Sequence, residues 1–466
     1  METSAKDWAT EQFATLELGD RRREYRAVRM LRRAAERPAG RLSEVFDSPA
    51  ELQGAYDFVE GNFASECVIR ALEDATLRAA DGLDFMYVVL DGTSLTLTDR
   101  AKCKDFGSIG PRETLARGLK VVDALALTPE GVPLGLLDLK FWARKPLSRT
   151  ARYWRRQGST TETRHWVETL ERVGERAARA GLKPWFVIDR EGDCADMLRA
   201  AAMNGASFTI RSNQNRLLRP GTSKQRLLRE HMKRRPILGR HFIRVPGTDG
   251  ALGSPVALDV RVSRVDLDVP NYRAHPKMRE ALPLHVVWLR ERHPPRGRKA
   301  LDWMLLTNHA VVDYAAAIAV LESYCCRWRI EDFHRTWKTG RCFVEDTQLQ
   351  RRDHVVRWAT MLAAVAARIE RLKHLSRTQP EAPASIEFSP IEIQALRIRK
   401  AQIKKRTESL PEGIPSIALA VLWLAQMGGF QGKAHEQPGS VTIGRGLERL
   451  APFALGLEAG LNLAGK

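Results

Sequence analysis

The chain has 466 residues, 44% of them hydrophobic and 28% charged, a globular balance that excludes wholesale disorder and leaves room for about two to four domains. Lys and Arg number 75 against 56 Asp and Glu, a net charge of +19; that surplus points to a polyanionic partner, usually nucleic acid, with a solubility surplus as the plainer alternative. Secretion, membrane transport and a disulfide scaffold are poor fits: the six cysteines make no CxxC pair or zinc spacing, no run approaches the ~18 apolar residues that span a bilayer, and METSAKDWATEQF lacks a signal peptide's apolar core.

Residues 1–70 read as helical and Arg-rich. Asp20 is the expected N-cap of a helix in which seven of the thirteen residues from 21 to 33 are arginine. At 3.6 residues per turn Arg22, Arg26, Arg29 and Arg33 share one face, which suits phosphate contact or a solvated charged surface. From residue 84 the runs FMYVVLDGTSLTL, LKVVDALAL and VPLGLLDLKFWA, split by turn signals such as Pro129-Glu130-Gly131, predict an antiparallel meander. A basic stretch over 143–164 follows. Then come a helix (HWVETLERVGERAARA), a buried strand (PWFVID), a helix (CADMLRAAAMN) and a strand (SFTIRS). Three strands followed by alternating helix and strand imply a mixed α/β sheet. Residues 213–307, rich in Arg, Pro and Gly, read as a β-rich insertion closed by the strand WMLLTN. DYAAAIAVLESYCCRWRIEDFHRTWKTG reads as one long helix. Beyond residue 350 the pattern is mainly helical, with a basic patch at Arg397, Arg399, Lys400, Lys404, Lys405 and Arg406.

Asp91 and Asp189 each end an apolar strand, where functional side chains gather in α/β sheets and where ordinary turn residues also stand. Tyr324, Arg327, Glu331 and Lys338 fall on one stripe of the long helix. An acid set among an aromatic and two cations suits a metal ligand flanked by phosphate clamps; a solvated face would alternate acid and base at i,i+4. His334 makes an ExxH pair with Glu331. No second copy exists for a paired-helix metal site, so His334 is expected to be structural or a DNA contact. Two Asp and one Glu are hard oxygen ligands that select Mg²⁺ or Mn²⁺ over zinc. Two such ions ~3.5–4 Å apart serve in-line phosphoryl displacement.

Through these residues the chain resembles the DDE transposases of the insertion-sequence-four family, the Tn-five type in particular. LGDRRR at 18–23 and GAYDFVEGN at 54–62 resemble the family's N-terminal DNA-binding domain. LDGTSLTL at 90–97 with FGSIG at 106–110, and FVIDREGD at 186–193, resemble its two aspartate segments. Tyr324, Arg327, Glu331 and Lys338 match its YREK signature, and GGF at 428–430 resembles its C-terminal region. Gly92 departs from the family, which often has Thr there, and Cys325-Cys326 replace other small or polar residues.

The resemblance implies an α/β protein: a ribonuclease H-like catalytic core over 71–376 carrying the β-rich insertion, a helical N-terminal DNA-binding domain over 1–70, and a helical C-terminal dimerisation domain over 377–466. It implies that Asp91, Asp189 and Glu331 hold two Mg²⁺ ions per site, with Mn²⁺ as a substitute. Tyr324, Arg327 and Lys338 would contact DNA near its reactive phosphates. Trp303 would stack on a flipped base, with Arg211 beside it and Trp328 packing or stacking nearby. The implied partners are double-stranded DNA, as terminal inverted repeats and as target, and a second protomer on paired ends. The implied setting is the bacterial cytoplasm, at the nucleoid, with no membrane. The implied activity is cut-and-paste transposition through nicking, hairpin formation and opening, and strand transfer. The alternatives are an inactive or domesticated DNA-binding relative and a metal-dependent nuclease without strand transfer. Tyr324 as nucleophile is the rival chemistry, and no Arg-His-Arg recombinase pattern surrounds it.

Overall fold

The structure is a computed structural model that describes residues 7–110, 116–144, 162–219, 226–244, 255–271, 278–294, 297, 299–404, 409–432 and 436–464. The N-terminal helices are α1 (Trp8–Gln12), α2 (Arg21–Glu36), α3 (Leu42–Val45), α4 (Pro49–Val59) and α5 (Ser65–Ala79). Strands β1 (Met86–Thr96), β2 (Gly107–Ser108), β3 (Arg117–Leu127) and β4 (Pro133–Trp142) follow, then α6 (Thr163–Arg179), β5 (Pro184–Ile188), α7 (Ala195–Met203) and β6 (Ser207–Arg211). Helix α8 (Leu228–Lys233) leads into β7 (Gly239–Arg244), β8 (Pro255–Pro270), β9 (Arg279–Glu291) and β10 (Asp302–Thr307). The remainder is helical: α9 (Tyr314–Cys325), α10 (Trp328–Arg335), a π-helical turn (Thr336–Gly340), α11 (Arg352–Thr378), α12 (Pro390–Ile403), α13 (Ile417–Met427) and α14 (Ser440–Ala464). This is a mixed α/β architecture consistent with a ribonuclease H-like core. The chain divides into two compact units, Met1–Gly82 with Gly92–Pro146 and Arg329–Lys466, and Leu83–Asp91 with Leu147–Trp328.

In the first unit, Asp20 caps α2 as the sequence predicts, accepting from the Arg22 N–H at 2.9 Å. Ala27, Met30, Leu31 and Ala34 bury one stripe of α2 at i, i+3, i+4 and i+7. The predicted hairpin of β3 and β4 turns through Thr128–Val132, where the Val132 carbonyl accepts from the Thr128 N–H at 2.9 Å and Gly131 supplies φ +79°. Helix α11 is buried along most of its length. No described helix is long and apolar enough to cross a membrane. A capping box at Ser389 and Glu392, with Pro390 at the first turn, starts α12.

In the second unit, β5 pairs in parallel with Met86–Leu90 of β1 on one side and with β6 on the other. The five residues of β5 are all buried, as expected of a central parallel strand. The segment read as β-rich forms an antiparallel extension: β10 pairs with β6, β9 with β10, β8 with β9 and β7 with β8. Strand β10 therefore joins the extension directly to the parallel strands.

One element departs from expectation. The segment read as a single helix from Asp313 to Gly340 breaks after Cys325 and resumes at Trp328. The end of α9 is tied to the sheet through Ser323, whose hydroxyl lies 2.9 Å from that of Thr209 on β6. The break leaves Arg327 outside both helices, so Tyr324, Arg327 and Glu331 do not share a continuous helical stripe. The six cysteines form no disulfide.

Candidate active site

Five buried residues precede Asp91 on β1, and five precede Asp189 at the end of β5. Because Leu90 pairs in register with Ile188, Asp91 and Asp189 stand side by side just past the last paired row; β1 runs on to Thr96, so Asp91 lies within its strand rather than ending it as the apolar run suggested. Ile188 also pairs with Ile210, which brings Arg211 to the same edge. Three adjacent parallel strands thus deliver two carboxylates and a guanidinium to one place, where the rigid core meets solvent. The aspartate side chains are only 16% and 18% exposed.

Arg327 closes this cluster. Its Nη1 lies 3.9 Å from Asp91 Oδ2 and 4.0 Å from Asp189 Oδ2. One buried cation therefore offsets the mutual repulsion of two carboxylates. Tyr324 donates its hydroxyl hydrogen bond to Asp189 Oδ1 at 2.9 Å, and Arg211 Nη1 donates to the Tyr324 oxygen at 3.3 Å. Burial and the charge of Asp189 push the Tyr324 phenol up to about 12, against partial offsets from Arg211 and Arg327. The phenol is thus a neutral hydrogen-bond donor at physiological pH.

The two tryptophans differ in their surroundings. Trp303 on β10 is 7% exposed and stands edge-on to Tyr324, with ring centroids 5.6 Å apart. To stack on a base it would have to leave this packing. Trp328 is 49% exposed, with the Arg327 guanidinium 5.0 Å from its ring centroid, so its indole is open to a flat partner.

Glu331, His334 and Lys338 belong to the first unit. Glu331 is half-buried in the first turn of α10. His334 Nε2 lies 2.7 Å from the buried Asp123 carboxylate on β3. That contact gives it the structural role the ExxH spacing left open. Lys338 sits 3.5 Å from Glu345, which also accepts the Thr96 N–H at 2.7 Å.

Sequence reasoning missed one buried cluster in the first unit. Asp332, Glu370 and His374 each bring a possible ligand atom within 4.8 Å of the others. The cation among them is the chain's own: Lys373 Nζ lies 2.7 Å from Asp332 and 2.5 Å from Glu370. The cluster is therefore a completed ion network. Its trace in the sequence is Glu370, Lys373 and His374 at i, i+3 and i+4, which resembles an ordinary surface pair.

The expected arginine face of α2 is partly spent internally. Arg29 pairs with Glu51, and Arg33 with Glu36 at 3.0 Å and Glu51 at 3.7 Å. Arg26 lies across α4 at Gly54. Arg22 is exposed, beside exposed Arg21 and Arg23. The pairing has a tertiary cause: Glu51 on α4 packs against this face and pairs with two of its arginines. The C-terminal basic patch is likewise partly internal, since Lys400 is buried and bonded to Gln426. Lys405 and Arg406 lie outside the described residues, as does most of the basic stretch over 143–164.

Three family models match the chain in order. A transposase DNA-binding model covers residues 5–62, a transposase DDE domain model covers 153–367, and a transposase Tn5 dimerisation domain model covers 364–461. Asp189, Arg211, Trp303, Tyr324, Arg327, Glu331 and Lys338 all fall within the DDE match. With DNA-binding, DDE and dimerisation segments successive on one sequence, this chain belongs to the DDE transposases and resembles that of Tn5.

Proposed function

We propose that the protein is a cut-and-paste transposase of the insertion-sequence-four type, with Asp91, Asp189 and Glu331 as the three carboxylates that hold its metal ions. The observation that carries the reading is the pair of adjacent aspartates facing one guanidinium, with Tyr324 fixed on Asp189. The donor set fits Mg²⁺, with Mn²⁺ as a substitute, because it is all hard oxygen. Two ions bound there would stabilise the attacking and leaving oxygens of an in-line displacement at phosphorus.

The chain's own residues have distinct tasks in this scheme. Tyr324 holds Asp189 in one orientation. Arg327, Arg211 and Lys338 grip phosphates of the transposon end, for which the planar guanidinium fork is well shaped. Trp328 offers a stacking face, and Trp303 would do so on leaving Tyr324. Water nicks one strand at each end. The freed 3′-hydroxyl attacks the opposite strand to close a hairpin, a second water opens it, and the 3′-hydroxyls join target DNA. Two protomers act on paired terminal inverted repeats. No step passes through Tyr324, whose protonated phenol suits hydrogen bonding rather than attack.

The test is to incubate the protein with DNA carrying the ends that flank its gene, a target plasmid and Mg²⁺, and to resolve the products on a denaturing gel. Hairpins and joined products are expected. Cutting without joining would favour a metal-dependent nuclease, and shifted but uncut DNA a binding-only relative. A finer test concerns Tyr324→Phe, which removes one hydrogen bond to a charged carboxylate, worth ~1.5–3 kcal/mol. Cleavage is expected to slow about 10- to 100-fold, with affinity for uncut end DNA within about twofold of wild type. Unchanged cleavage would remove Tyr324 from the assignment.

A further inference from the structure

The π-helical turn Thr336–Gly340 carries Lys338 and follows the helix of Glu331. Single π turns inside helices often mark functional sites. Here the turn is gripped by one stripe of α14. Ser440 at the start of α14 donates to Glu370 Oε1 at 2.6 Å, and Thr336 at the start of the turn donates to the same oxygen at 2.5 Å. One helical step further, the Arg341 stem lies over Gly444, where a Cβ would stand 2.7 Å from Arg341 Cγ. Another step on, Glu448 pairs with Arg341 at 2.5 Å. Ser440, Gly444 and Glu448 are spaced i, i+4 and i+8, so they form one line along α14. Glu370 is fully buried, and Lys373 joins it to Asp332, the neighbour of Glu331.

Helix α14 lies almost wholly within the segment matched by the Tn5 dimerisation model. We infer that the Ser440–Gly444–Glu448 stripe sets the position of Lys338 and Glu331, so that a helix of the segment matched as a dimerisation domain also shapes the active site of its own chain. This rests on the proposed roles of Glu331 and Lys338. The three stripe residues are positioning residues that act through Glu370 and Arg341. An element used only to bring chains together would need no such contacts with the turn.

The test separates pairing from chemistry. Paired-end complexes are assembled on end-bearing DNA without divalent cation and isolated by native gel. Nicking inside them is then started with Mg²⁺. Ser440→Ala, Gly444→Ala and Glu448→Gln are compared with wild type, and thermal melting reports on folding. The expected result is paired-complex yield within twofold of wild type and nicking inside the complexes at least tenfold slower. Ser440→Thr, which keeps the hydroxyl, is expected to nick at close to the wild-type rate. Wild-type nicking in complexes of all three variants would overturn the inference. So would loss of complexes with an unchanged rate in those that form, which would make α14 a pairing element alone. Failure of the functional reading looks different: wild type would not nick, or Glu331→Gln would nick as well as wild type.

Discussion

Glu331→Gln is expected to lower strand cleavage by about a thousandfold or more while leaving DNA binding intact. The amide keeps the size and polarity of the side chain but loses the negative charge that a hard cation requires. Charge stabilisation by metal in phosphoryl transfer is worth several kcal/mol, and ~4 kcal/mol is a factor of about a thousand in rate. Binding draws instead on phosphate contacts made by a chain of net charge +19, and removal of one acid does not weaken those contacts. Asp91→Asn and Asp189→Asn are expected to fall to the same floor. If the three carboxylates act as a unit, combining two substitutions adds little to either one alone. The measurement is nicking on a denaturing gel beside a mobility shift on the same DNA. Retained cleavage by Glu331→Gln would refute the three-carboxylate assignment, and additive losses in the double variants would show that the acids act separately.

The aspartates were legible for a local reason. Short apolar runs such as MYVVL and PWFVI are too brief for buried helices, and each ends in an acid. Strand burial followed directly, and the register of Leu90 with Ile188 placed the acids together. The tyrosine–arginine part of the signature was legible by spacing but for the wrong geometric reason. A helical wheel assumes an unbroken helix, whereas α9 ends at Cys325 and Arg327 lies in the break, facing both aspartates. Spacing alone cannot register a break that tertiary contacts impose.

What the sequence hid was the fate of charges. Arg29 and Arg33 look like a free basic face because a wheel shows only one helix, and their acid, Glu51, comes from another. Lys373 and Glu370 look like a surface pair because one of Glu370's hydrogen-bond partners, Ser440, lies 70 residues away. Trp303 is given a stacking role by the family resemblance, which carries no information about its packing in this chain. On β10, five of the six residues are buried, Trp303 among them. In each case the deciding partner is remote in sequence, beyond the reach of periodicity.

Lys373→Met is expected to cost about 3–5 kcal/mol of stability at pH 7, the usual penalty for breaking a buried pair by removing one partner. Methionine fills most of the space of the stem, so the loss is chiefly electrostatic. Burial alone would raise the Glu370 carboxyl; His374, Lys373 and the Ser440 hydroxyl outweigh it and hold the group at about 2, against 4.5 for an ordinary Glu. A carboxyl depressed by that much contributes on the order of 3 kcal/mol, fully present above the unfolded value and lost as pH falls from about 4.5 to about 2. Without Lys373 the largest effect left on Glu370 is burial, which drives its carboxyl upward. The variant can then relieve its buried charge by protonation as the solution is acidified. The stability gap between wild type and variant, followed by urea unfolding, is therefore expected to be widest at neutral pH and to narrow towards pH 4. Lys373→Met combined with Glu370→Gln is expected to recover more than half of the loss, because the charge left behind is removed with its partner. Equal gaps at both pH values, with no recovery in the double variant, would mean that the lysine stem matters for packing alone and that the network does not fasten α10 to α11 through charge.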